Sequence, residues 1–263
     1  MPDSINEGAS ALQKSLAVLE ALLDGERPLG LAEIAQKIDM PRQTVYRIAR
    51  QLEDSGLIRR ELGADQFSVG SRLLDISLNG LCLASRSLPV RSVLRDLVDQ
   101  IGETCNIGVL DRDQVVYIER VECDWPLRLQ FGPGSRVSVH ATAIGKLMLA
   151  HLPSRTRMRI LESQTLTRYT DTTITEIQEL DKQFKKIRKS GYAINDQENL
   201  KGMIALAVPV LGERGRVIAG LAVHTPSARM NIEEIETHLP KIRAAAEQIS
   251  DGIRDMMIAD DKD

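Results

Sequence analysis

A chain of 263 residues, 43% hydrophobic and 27% charged, is long enough to bury two separate cores, in domains of about 70 and about 180 residues. A formal charge of −3 argues against wholesale adsorption to nucleic acid, and the longest apolar stretch, Met203 to Leu211, falls far short of the roughly 20 residues that span a bilayer. With no leader in MPDSINEG, and Cys82, Cys105 and Cys123 lacking C-x-x-C spacing, the expectation is a soluble cytoplasmic protein with reduced thiols, no metal and no cofactor.

The first element is an amphipathic helix marked by Leu12, Leu16, Leu19, Leu22 and Leu23 and closed by Gly25 and Pro28. Next comes LAEIAQKIDMPRQTVYRIARQL, residues 31–52. Leu31, Ile34, Ala35 and Ile38 follow i, i+3, i+4, i+7, as do Val45, Ile48, Ala49 and Leu52, so each half has one buried stripe. Pro41 suits the first turn of a helix, where its missing N–H costs nothing, and forbids one helix running through the break. The pattern reads helix, tight turn, helix. Gln43, Tyr46, Arg47 and Arg50 keep the same spacing two residues out of phase with the second stripe, about 200° around the helix, and so face solvent. With Arg42 and Thr44 at the N-terminal end, that face carries hydrogen-bonding groups where a helix in a major groove reaches base edges.

Ser55-Gly56 caps this helix, and Leu57-Ile58-Arg59-Arg60 with Phe67-Ser68-Val69 form a basic hairpin around Gly63-Ala64-Asp65. Three helices and a wing make a winged helix-turn-helix over residues 9–70. Residues 1–70 hold more acidic than basic side chains, whereas Arg42 to Arg60 include five arginines against Glu53 and Asp54. The footprint for phosphates, Arg59 and Arg60 included, is therefore one face.

Residues 71–88 form a linker helix with Leu73, Leu74, Leu78 and Leu81 near one side, Gly80 as a weak point and Pro89 as the stop. An apolar helix at a domain boundary favours an interface. The second domain, 89–254, opens with a helix on Val93, Leu94, Leu97, Val98 and Ile101, closed by Gly102. Strands follow at Cys105 to Leu110, Val115 to Val121 and Leu127 to Phe131, the first two joined by the turn Asp111 to Gln114. Helices at Ala141–Leu152, Ser154–Glu162 and about Thr175–Ser190 precede strands at Tyr192–Asn195, Ile204–Val210 and Val217–Val223. Asn231 caps a closing helix reaching about Met256, and 255–263 reads as a flexible tail. Hairpin strands with helices gathered around them indicate α+β with an antiparallel sheet.

His140 to Leu147, HATAIGKL, looks superficially like a phosphate loop but lacks its leading glycine and the metal-binding hydroxyl, so nucleotide binding is rejected. Its small residues would let a ligand approach helix N–H groups, or would simply permit close packing. No G-x-S-x-G elbow is present, and His140, His151, His224 and His238 have no neighbouring nucleophile motif, which argues against a hydrolase.

Ser15 to Leu19, the run LAEIAQKIDMPRQTVYRI, the segment LEDSGLIRR, HATAIGKLMLA at 140–150 and IALAVPV at 204–210 together resemble the IclR-type transcriptional regulators over nearly the whole chain. The resemblance implies an N-terminal reader of operator DNA and a C-terminal GAF/PAS-like domain that binds a small effector. Carried over position by position, it implies a pocket of Leu129, Thr142, Ala143, Ile144, Asn195, Met203, Ala205, Ala222 and His224. Family members often have Cys at the position of Ala205 and Ser at those of Ala222 and His224. The reading is a dimeric or tetrameric regulator that binds double-stranded DNA and a carboxylate-bearing metabolite, with His224⁺ standing in for the missing hydroxyls. A metabolite-processing enzyme with a DNA-binding appendage and a ligand-independent DNA-binding protein are the alternatives.

Overall fold

The computed structural model describes residues 10–25, 27–61, 65–87, 90–124 and 131–260, with the side chains of 81–87, 214 and 256–260 excepted. The chain divides into two units, Met1–Gly80 and Leu81–Asp263.

In the first unit, α1 (Ala11–Leu23) starts at a capping box: Ser10 Oγ accepts from Gln13 N–H, and the Gln13 side chain accepts from Ser10 N–H. Its buried face is Ala17, Val18, Leu19, Ala21 and Leu22. Three of the five leucines that marked the helix, Leu12, Leu16 and Leu23, are exposed instead, Leu12 by 69%. A stripe of leucines reports periodicity but not which side meets the core. Helix α2 (Leu31–Lys37) and helix α3 (Arg42–Asp54) meet at a turn in which Asp39 has φ 50° and Met40 N–H reaches back to Ala35 O. Pro41 is the N-cap of α3, one residue before the first turn. The end of α3 is a Schellman motif, with Gly56 at φ 74°, Leu57 N–H donating to Leu52 O and Gly56 N–H to Glu53 O.

The wing is strands β2 (Ile58–Arg60) and β3 (Gln66–Val69), joined by an unforeseen β1 (Leu29–Gly30) in the order β1-β3-β2. Two residues are too few to show any period. Helix α4 (Ser71–Ser87) is the linker helix and runs through the division at Gly80.

The second unit is one antiparallel sheet of six strands in the order β6-β5-β4-β9-β8-β7. These are β4 (Thr104–Asp111), β5 (Gln114–Val121), β6 (Arg136–Ser138), β7 (Ala193–Asp196), β8 (Met203–Leu211) and β9 (Val217–Pro226). Helices α5 (Val90–Ile101) and α10 (Leu239–Asp260) cover one face; α6 (Ala143–His151) lies on the other, backed by α8 (Ile177–Ser190). The α+β expectation holds. The edge strand β6 was not foreseen, and the strand expected from Leu127 lies outside the described residues. The closing helix is split into α9 (Ile232–Thr237) and α10, which continues to Asp260 where a tail was expected.

Alternation along the central strands sorts side chains by size. Leu206, Val208, Leu221 and Val223 are buried opposite α6, while Ala205, Ala207, Gly220 and Ala222 form a floor of small residues beneath it. That floor lets the helix lie close. A Cβ on Gly220 would come within 2.9 Å of Ile144 Cγ2, so Ile144 fills the space above it.

Candidate functional site

The outward face of α3 is as the sequence implied: Arg42, Gln43, Tyr46, Arg47 and Arg50 are exposed and Thr44 half-buried, while Val45, Ile48, Ala49 and Leu52 are buried. Arg42, Arg47 and Arg50 make no ion pair among the described residues. The wing arginines differ. Arg59 bonds Ser68 and pairs with Glu61; Arg60 pairs with Asp65 and Glu53 and stacks over Phe67 at 5.0 Å. Their charge is partly neutralised within the wing, and Arg60 also packs it.

The effector expectation is redrawn. A small cavity of about 20 Å³ on the α6 side of the sheet is lined by Tyr117, Arg120, Phe131, Asn195, Asn199, Leu200, Met203, Ile204 and His224. Of the nine residues expected there, Asn195, Met203 and His224 line it. Leu129 lies outside the described residues. Ala143, Ile144, Ala205 and Ala222 belong instead to the packed core beneath α6, because close helix packing fills the room that small side chains would otherwise leave. The Thr142 hydroxyl is the N-cap of α6, accepting from Gly145 N–H and donating to Ser138 O at 2.6 Å. Lys146 N–H goes to Thr142 O, so these two amides of the first turn are satisfied within the chain. Asn195 Oδ1 accepts Glu198 N–H at 2.8 Å and holds the turn after β7.

The His224 ring lies across from Tyr117, 6.3 Å between centroids, and its Nε2 meets Asn106 Oδ1 at 2.9 Å. Burial first, then the positive charge of Arg120, pushes its pKa down to about 3. The expected imidazolium is therefore a neutral ring at pH 6–8, and binding that strengthens toward pH 6.5 is not expected from it. Because the unfolded chain takes a proton near pH 6.5 and the folded one only near 3, this ring's contribution to stability is complete above about 6.5 and is lost as pH falls toward 3. In ¹H–¹⁵N spectra the ring should hold one neutral tautomer from pH 5 to 8; a midpoint near 6.5 would contradict this account.

Arg120 was not foreseen. In YIERVEC it sits beside Glu119 as if in a solvated strand, yet Glu119 turns to the α5 side and pairs with Arg91 at 2.8 Å, while Arg120 turns inward. Ion pairing was also unforeseen at Lys146, buried in α6 and bonded to the equally buried Glu198. Burial lowers the lysine's pKa and raises the glutamate's, each offset by the partner's charge.

A second, outer cavity of about 350 Å³ is lined by Gln114, Arg136, Ser138, His140, Gln164 and Tyr169, among others, and shares Phe131, Asn199 and Leu200 with the inner one. His140 Nε2–H donates to Thr167 O, so Nδ1 accepts the Ser138 hydroxyl at 2.7 Å. Both ring nitrogens tie β6 to the segment after α7 (Ser154–Glu162), and Tyr169 stacks on the ring. Thr170, Thr172 and Thr173 donate to the carbonyls of Gln197, Asp196 and Glu198 and so fix the shared wall.

Residues 11–62 match the IclR helix-turn-helix domain, and residues 87–251 match the bacterial transcriptional regulator IclR C-terminal domain. The probable transcriptional regulator SauR of Cupriavidus necator is 42% identical over 244 residues, 93% of this chain and 97% of that protein. The crystal structure of Thermotoga maritima IclR superposes with a TM-score of 0.60 at 27% identity, covering 92% of this chain and 98% of that one. A double mutant of the inducer-binding domain of PobR from Acinetobacter, in complex with 3-hydroxybenzoic acid, gives 0.57 at 31% identity over 60% of this chain and 94% of that domain. With both family domains matched in order along one chain, the chain belongs to the IclR family of bacterial transcriptional regulators.

Proposed function

We propose that this regulator is a cytoplasmic homodimer, assembling further to a tetramer, that acts by binding rather than catalysis. In this reading α3 reads each half of a pseudo-palindromic operator, and the inner cavity takes a small carboxylate-bearing metabolite. The observation that carries the DNA reading is the exposed face of α3, where Arg42, Arg47 and Arg50 have no ion pair among the described residues and Gln43 lies at the N-terminal end. Leu12, Leu16 and Leu23 on α1 and Ile76 on α4 are exposed apolar side chains in the same unit, as a two-fold partner would require. The carboxylate reading is supported by Arg120 in the cavity wall and by the aromatic acid bound to the PobR domain.

Gln43→Ala should relax sequence choice with little loss on random duplexes, while Arg50→Ala should weaken all duplexes alike and lower the slope of log K against log salt by about one. Fluorescence anisotropy on operator and random DNA between 50 and 200 mM salt measures both, with light scattering on the same samples giving the stoichiometry. Equal losses on both DNAs for both variants, or a monomer that holds the operator tightly, would refute the assignment.

A further inference from the structure

We propose that Arg120 is the anchor for the effector's oxyanion, with the Asn106 carboxamide as second donor, so that the inner cavity selects its ligand by one negative head. This rests on reading that cavity as the effector site. Cα register places Arg120 of β5 beside Asn106 of β4, and Asn106 beside Ala222 of β9, in one row on the α6 side. The arginine is only 8% exposed and lines the cavity. Its one ion partner among the described residues is Glu122, reached through Nε at 3.5 Å. The terminal Nη1 and Nη2 groups have no hydrogen bond among the described residues.

A guanidinium offers its N–H groups in a rigid plane that matches the two oxygens of a carboxylate, and burying it without such a partner is unfavourable. Asn106 is fully buried, and with Oδ1 accepting from His224 its Nδ2 has no hydrogen-bond partner among the described residues. A guanidinium and one buried amide donor thus stand in one row, beside a histidine that stays neutral and adds no charge of its own. The cavity has room for about one water-sized group, so a carboxylate head, and any longer acid with it, must displace Leu200, Met203 or Phe131.

Thermal melting of the full chain tests this, with formate and acetate as probes and formamide and acetamide as their neutral counterparts. The acids should raise the melting temperature of the wild type and the amides should not. Arg120→Met should weaken acid binding by about a hundredfold or more. Arg120→Lys should keep a weakened response. No acid response in the wild type, an equal response to the amides, or an Arg120→Met chain that responds to the acids as the wild type does overturns the anchor. If acids stabilise through Arg120 yet never change operator affinity, the anchor stands and the regulatory reading of the cavity falls. If the anchor fails while organic acids still change operator affinity, the reverse holds.

Discussion

Replacing Lys146 by Met should destabilise the C-terminal unit by about 3–5 kcal/mol, the usual result of stranding one charge of a buried pair. Lys146 and Glu198 are both within a few percent of full burial, and Glu198 Oε2 has no other partner among the described residues. With the ammonium gone, the carboxylate must stay charged in a dry site or take up a proton. Burial already raises its pKa, so protonation is the easier course. The folded variant then binds more protons than the unfolded chain, and its deficit should shrink as pH falls through the folded value. Lys146→Met with Glu198→Leu should regain most of the loss, since the double variant strands nothing. Urea unfolding of the three proteins at pH 5 and pH 8 measures this; a single-variant loss under about 1 kcal/mol, or one independent of pH, would show that the pair is not coupled as described.

Gly145→Ala should be the other severe change, and here two effects of opposite sign compete. In the first turn of a helix, alanine gains up to about 1 kcal/mol over glycine from backbone entropy. A Cβ at this position, however, would stand 2.3 Å from Val139 O and 2.4 Å from Val139 Cα. Those are backbone atoms, fixed by the end of β6 and by the Thr142 cap, so they cannot rotate away. Overpacking of this kind costs about 3 kcal/mol, enough to outweigh the propensity gain and lower the melting temperature by several degrees. A variant that melts higher than the wild type would mean that the helix can slide on its small-residue floor. Between the two readings of HATAIGKL, the structure favours close packing over a ligand cradle, because the Gly145 and Lys146 amides are capped within the chain.

What could be read from the sequence was whatever repeats with the period of its own element. The buried stripe of α3 and its exposed arginines were legible because both recur at 3.6 residues, and the Asn231 cap because its partner Glu234 is three residues away. The unread parts depend on neighbours distant in sequence. Lys146 and Glu198 are 52 residues apart, and Arg120 looks like any charge in a strand until α5 claims its neighbour Glu119. His224 lines the inner cavity, but its protonation is set by burial and by Arg120 on another strand, neither of which its own strand announces. Alanines were taken as empty space because nothing in a single strand announces the helix lying on it.

Phe131, Asn199 and Leu200 line both cavities, so if the inner cavity is the effector site as proposed, they form the wall an effector passes to reach Arg120. Two of the three sit on the loop that Glu198 and the threonines pin down. Arrival and commitment are then separate events: arrival proceeds at the rate of diffusion, commitment at the far slower rate of a local opening. A brief pulse of effector would come and go before the wall yields, whereas a sustained one would be caught and held after the supply fell. Under that proposal, the delay before transcription responds and the memory afterwards would be properties of a short loop rather than of the affinity of the site.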